Sequence, residues 1–151
     1  MRSIDRRKLL HGATAFGIVA IVPGAAFATP DTMNAAMSEA LGGVTPKAGR
    51  IKLEISPLAE NGNSVPLTIT VESPMTAADH VKAIYLFAPE NPLPDVARFH
   101  IGPRAGRAQV KTSIRLATSQ HIHGVAVMSD GTAWTDSAEV IVTLSACIDA
   151  G

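Results

Sequence analysis

One cysteine, Cys147, stands in the last few residues of a 151-residue chain. A lone cysteine has no internal disulfide partner, so it is an inert side chain, half of an intermolecular bond, or a reactive handle. Its surroundings read Ser145-Ala146-Cys147-Ile148-Asp149-Ala150-Gly151. Asp149 and the terminal carboxylate are close by, and no Lys, Arg or His occurs from Val140 onward. Negative neighbours disfavour the thiolate, so nothing in the tail itself activates the sulfur. The residues describe a tether that presents a thiol, with activating groups to come from another protein.

The remaining chemistry-bearing residues give weaker patterns. His121 and His123 are two apart on a strand pattern and leave the same face. Zinc or copper would need a third ligand, and His80 and His100 are distant in sequence, so surface or partner-facing histidines are expected. Asp95, Asp130, Asp136 and Glu139 sit in or near turn sequences and read as solvated carboxylates rather than an acid–base pair. Ser145 has no histidine and acid beside it in the pattern of a hydrolase, and phosphate-cradling glycine loops are missing. No catalytic residue, metal site or resident cofactor is assigned. The formal net charge is zero with no basic run outside the first residues, which argues against nucleic acid as a partner.

The elements that must position the thiol read as β-structure. From Arg50 the apolar period is two: Ile51, Leu53 and Ile55, then, after an Asn61-Gly62 turn, Val65, Leu67, Ile69 and Val71. Pro66 places this second strand near a sheet edge. Further strands are predicted over Val81–Ala88, Val96–Ile101, Ala108–Leu116, Ile122–Met128, Ala133–Asp136 and Glu139–Leu144. Ser73-Pro74, the stretch from Pro89 to Pro94, Gly102-Pro103 and Asp130-Gly131 supply the turns between them. About seven short strands at this spacing predict an all-β fold, an antiparallel immunoglobulin-like β-sandwich without the immunoglobulin cysteine pair. One short helix precedes it, with Thr29 as N-cap, Pro30 in the first turn, and Met33, Ala36, Met37, Ala40 and Leu41 at helical spacing before Gly42-Gly43. Leu144 ends the alternating pattern, so Cys147 is expected just outside the sheet, on three extended residues reaching roughly 10 Å.

The N-terminus reads as a targeting segment. Arg6-Arg7-Lys8-Leu9-Leu10 is a twin-arginine pattern, an apolar run follows from Gly12 to Val22, and Ala26-Phe27-Ala28 suits a signal peptidase. Export to the periplasm with cleavage near Ala28 is expected, with no membrane attachment afterwards. The chain then divides into a leader (1–28), a helix and linker (29–49), a sandwich (50–144) and a cysteine arm (145–151). Twin-arginine export carries folded cargo, which directs attention to a co-exported partner.

Several stretches carry a family likeness. Ala59-Glu60-Asn61-Gly62, Val65-Pro66, Ser73-Pro74-Met75-Thr76, Asn91-Pro92, Ile114-Arg115-Leu116, Ser129-Asp130-Gly131 and a cysteine just past the last strand resemble the sulfur-oxidation carrier family SoxY. The resemblance implies a β-sandwich that carries sulfur intermediates covalently on Cys147, with no resident cofactor. It also implies a SoxZ-like sandwich as heterodimer partner, and separate enzymes that load and process the arm. In that family the arm is Gly-Gly-Cys-Gly-Gly; here it is similar to a SoxY-related subgroup with an Ala-Ala-Cys-Ile-Glu-like arm. Ser145 and Ala146 narrow the backbone freedom that glycine would give. Ile148 is bulky and β-branched, and with Asp149 it reads as a docking contact for a differently shaped partner pocket. Two other classes remain open: a thiol redox protein, which needs an activated sulfur, and a non-catalytic interaction or assembly subunit.

Overall fold

The computed structural model describes residues 29–146. The leader, with its expected cleavage near Ala28, lies outside the described residues. α1 spans Pro30–Ala40, with the Thr29 hydroxyl accepting from the Thr32 amide and the Thr32 hydroxyl returning the bond to the Thr29 backbone. Nine strands follow: β1 (Lys47–Ala48), β2 (Ile51–Ile55), β3 (Leu58–Ala59), β4 (Val65–Val71), β5 (Val81–Phe87), β6 (Asp95–His100), β7 (Ala108–Ile114), β8 (Gln120–Met128) and β9 (Ala133–Val142). One sheet has the order β1-β9-β8-β5-β6, with β3 also on β9; the other has the order β2-β4-β7. The all-β sandwich with a short leading helix is the fold that the period-two pattern predicts.

Alternation places the core between the sheets. On β4, Val65, Leu67, Ile69 and Val71 are buried, while Pro66, Thr68 and Thr70 face outward. Ile69, Ile84, Leu86, Leu116, Ile122 and Met128 are completely enclosed. On β5 and β8 the alternation fails, because α1 covers the outer face. Met33 and Leu41 pack there with Phe87, Val125 and Ala133. The helix stripe therefore seats on its own domain.

Three expectations need correction. β4 is the central strand of its sheet, not an edge. Pro66 is tolerated because β2 pairing stops at Leu67, so at Pro66 only β7 is alongside. The segments predicted as Ala133–Asp136 and Glu139–Leu144 form the single strand β9. Asp136, a turn residue by type, instead accepts the Leu53 amide of the facing sheet at 2.8 Å and the Ser137 amide at 2.9 Å. The strand thus runs through a polar stretch with its carboxylate satisfied. Finally, the sandwich is not purely antiparallel, since the two-residue strands β1 and β3 pair with β9 in parallel.

Core filling gives a direct stability expectation. Ile69→Ala is expected to lower unfolding free energy by about 2–5 kcal/mol, against about 0.5 kcal/mol or less for Thr68→Ala on the outer face. Urea unfolding of the two variants measures the contrast.

Candidate functional site

Cys147, Ile148 and Asp149 lie outside the described residues, so the site is built from what leads to them. β9 runs from the Asp130-Gly131 hairpin across the sandwich and delivers the chain to the opposite end, where Thr143, Leu144, Ser145 and Ala146 follow. These residues are bonded to the body of the protein. The Ile141 amide donates to the Pro57 carbonyl at 2.9 Å and the Thr143 amide to the Ala59 carbonyl at 3.1 Å. The Thr143 hydroxyl reaches the Glu60 carbonyl at 3.0 Å. On the other side, the Ser119 hydroxyl accepts the Val142 amide at 2.9 Å.

Beyond β9 the bonding continues. The Gly62 amide donates to the Leu144 carbonyl at 2.7 Å, the Leu116 amide to the Gly62 carbonyl at 2.8 Å, and the Ala146 amide to the Leu116 carbonyl at 3.1 Å. Three separate segments thus close into one knot under the arm. The approach is so tight that a Cβ at position 62 would lie 2.4 Å from the Leu116 carbonyl oxygen and 2.9 Å from the Ala146 nitrogen. Both are backbone atoms, so no rotamer change makes room. The expectation of three free extended residues is corrected here: Ser145 and Ala146 belong to the bonded root. Cys147 begins one peptide, a Cα spacing of about 3.8 Å, beyond it.

Leu116 is itself fixed by a buried polar node. The Asn91 side chain donates to the Arg115 carbonyl at 2.9 Å and accepts the Ala117 amide at 2.9 Å and the Gln120 side-chain amide at 3.0 Å. Gln120 also accepts the Glu90 amide at 2.9 Å. Asn91 and Gln120 are the two buried polar residues among those described, and no buried side-chain polar atom there lacks a partner. Of the stretches that carried the family likeness, those around Gly62, Asn91 and Leu116 meet at the arm root. Those around Ser73 and Ser129 sit at the far end, where the Ser129 amide donates to the His80 carbonyl at 2.8 Å. Sequence reading treated Asn61-Gly62 as a turn and passed over Asn91, Leu116 and Ser119 as functional positions. The Asn-Gly pair was visible; its contact partners were not, because they come from two remote segments.

Leu58 and Ile141, paired across β3 and β9, are each about half exposed, and Leu144 is 68% exposed. Three apolar side chains on β3, on β9 and just after β9 are thus open to solvent.

The histidines lie elsewhere on the same sheet. His121 pairs with Glu139 and His123 with Ser137. With Ser119, Glu90 and Met33 they line a cleft of about 410 Å³ beside the start of α1. Burial, helped by the neighbouring His121, lowers the His123 pKa below the usual histidine value. His80 instead contacts the Thr76 carbonyl at 3.0 Å at the far end. Among the described residues no group of three or more His, Cys, Asp or Glu is placed to hold a metal ion, and no helix is long and apolar enough to cross a membrane. Asp130 is held below the ordinary carboxylate range by hydrogen bonds from the Thr132 side chain and backbone, which makes it a turn-stabilising group.

A family model described as sulfur oxidation protein SoxY matches residues 37–147. The sulfur carrier protein SoxY from Chlorobium limicola f thiosulfatophilum is a similar solved structure, with 27% identity, a TM-score of 0.62, and coverage of 76% of this chain and 98% of that one. A superoxide reductase (neelaredoxin) from Ignicoccus hospitalis superposes with a TM-score of 0.56 at 20% identity, covering 77% of this chain and 94% of that one. A putative superoxide reductase from Thermotoga maritima gives 0.54 at 19% identity, covering 66% and 93%. These two share the fold. No curated protein matches the chain.

The lowered His123 pKa has a pH consequence with a definite sign. The unfolded chain protonates this side chain near pH 6.5, whereas the folded chain resists until lower pH. Its contribution to stability is complete above pH 6.5 and is lost as pH falls toward the folded-state pKa. Wild type is therefore expected to lose more thermal stability between pH 7 and pH 5 than His123→Gln, measured by paired melting curves.

Proposed function

The chain belongs to the SoxY family of sulfur oxidation proteins, and from that premise we propose that it is a covalent carrier whose Cys147 holds a sulfur intermediate for separate enzymes. The observation that carries this reading is the reach of the family match, whose last residue, 147, is the chain's one cysteine. The similar Chlorobium protein, described as a sulfur carrier, supports it. So do the exposed apolar side chains of Leu58, Ile141 and Leu144 on the elements that lead to the arm, which offer client proteins an apolar contact.

Loading is an oxidation. A sulfur anion and the Cys147 thiol join through an S–S bond, the thiol proton leaves to solvent, and two electrons pass to an acceptor carried by the loading enzyme. Unloading is either exchange, in which a thiolate of a second enzyme bonds to the cargo sulfur and Cys147 leaves as its thiolate, or hydrolysis, in which water takes up the terminal group of the cargo and the remaining sulfur stays on Cys147. The carrier's own part is to hold and present the adduct, in keeping with a tail that has no cation to activate its sulfur. Ser145 and Ala146 form the root, while Ile148 and Asp149 offer an apolar contact and a charge by which client enzymes recognise the arm. A SoxZ-like β-sandwich completes a heterodimer. The twin-arginine leader takes the folded protein to the periplasm, with cleavage near Ala28.

The test is made on protein isolated from cells oxidising reduced sulfur compounds. Trypsin cuts after Arg115 and releases residues 116–151 as one peptide. That peptide is expected to carry an added sulfur-containing mass at Cys147, removed by reductant or sulfide. Cys147→Ser is expected to fold as wild type and carry none. A bare thiol under every sulfur-oxidising condition contradicts the carrier reading.

A further inference from the structure

We infer that Gly62 and Leu116 form a clamp that fixes where the cysteine arm leaves the sandwich, at Ala146, and so limits how far the thiol reaches from the protein surface. The inference rests on the carrier reading for its purpose, but its geometry stands on the described residues alone. Three backbone hydrogen bonds build the clamp: Gly62 to Leu144, Leu116 to Gly62, and Ala146 to Leu116. Only a residue without Cβ permits them together, since the side-chain position at 62 is filled by the Leu116 oxygen at 2.4 Å, the Ala146 nitrogen at 2.9 Å and a Val142 methyl at 3.1 Å.

The supports are rigid. Leu116 is fully enclosed in the core, and its two neighbours are tied to Asn91 through the Arg115 carbonyl and the Ala117 amide. On the Gly62 side, Asn61 caps the turn by accepting the Asn63 amide at 2.9 Å. The Ala59 and Glu60 carbonyls are taken up by Thr143. The last peptide before the cysteine is therefore part of the folded body. Gly62 and Leu116 are positioning residues that act on Cys147 through Ala146.

This geometry changes what client enzymes must do. A thiol on a free three-residue stalk can be drawn into a deep channel, whereas one that starts at a clamped Ala146 must be met at the surface of the sandwich. The reach left to it comes from its own side chain and from whatever opening of the clamp a partner induces.

Two variants test the clamp on purified, unloaded protein. Gly62→Ala drives a methyl into the knot. Ala146→Pro deletes the donor to Leu116 and also fixes the backbone at 146 and restricts Ser145, but it leaves Gly62 itself in place and keeps the test alive if the first variant fails to fold. In wild type the Ala146 amide is expected to be protected from hydrogen exchange, and in Gly62→Ala it should exchange about tenfold faster or more, with β8 and β9 amides unchanged. Alkylation of Cys147, the sole thiol, gives the positioning readout. In both variants a bulky polymer-linked maleimide should react severalfold faster while iodoacetamide keeps its wild-type rate. An unprotected Ala146 amide in wild type overturns the proposal. So does an unchanged rate ratio for the two reagents in a folded variant. Because no cargo is involved, these results are independent of the tail-peptide mass, whose failure would remove the carrier reading and leave the clamp standing.

Discussion

Everything at the functional end of this protein depends on how closely three backbone segments approach at Gly62. The loop after β3, the segment after β7 and the residues after β9 meet within hydrogen-bond distance, where one extra carbon would collide with two backbone atoms. A buried backbone amide or carbonyl without a partner is costly, and here each group serves as the partner of another. The knot satisfies the polar backbone at the end of the sandwich, and in the same step turns the last residues before the cysteine into part of the fold.

The rest of the structure supports that approach. The core between the sheets encloses Leu116, and the Asn91–Gln120 node fixes the backbone on either side of it. β9 is held along its length by β8, at its start by β1 and near its end by β3. The Asp136 carboxylate ties it to β2 in the opposite sheet. Rigidity is thus concentrated on the strand that ends in the arm. Under the carrier function proposed above, a fixed starting point would reduce the conformational freedom lost at each encounter with a client enzyme.

Much of this was legible in the sequence. Period-two patterning located the strands, because each sheet buries one face and the pattern records burial directly. Thr29, Pro30 and the apolar stripe gave α1 for local reasons of capping and amphipathicity. Polar Thr135-Asp136-Ser137 misled, since a carboxylate satisfied by a distant amide looks the same in sequence as a solvated turn. Pro66 misled because strand order, not residue type, decides which positions have a neighbour on both sides. The cysteine announced itself by position and solitude, but the clamp did not. Gly62 looked like half of a turn, and the reason it must be glycine lies in Leu116 and Ala146, more than fifty and eighty residues away.

The central claim, that the arm's root is bonded into the sandwich, is tested most directly by nuclear magnetic resonance of the purified protein. Scalar coupling across a hydrogen bond links the amide nitrogen of the donor to the carbonyl carbon of the acceptor. A coupling between the Ala146 nitrogen and the Leu116 carbonyl carbon is the result this account predicts. Its absence from spectra that do show the Leu116–Gly62 coupling, with random-coil shifts from Leu144 to Ala146, would contradict it.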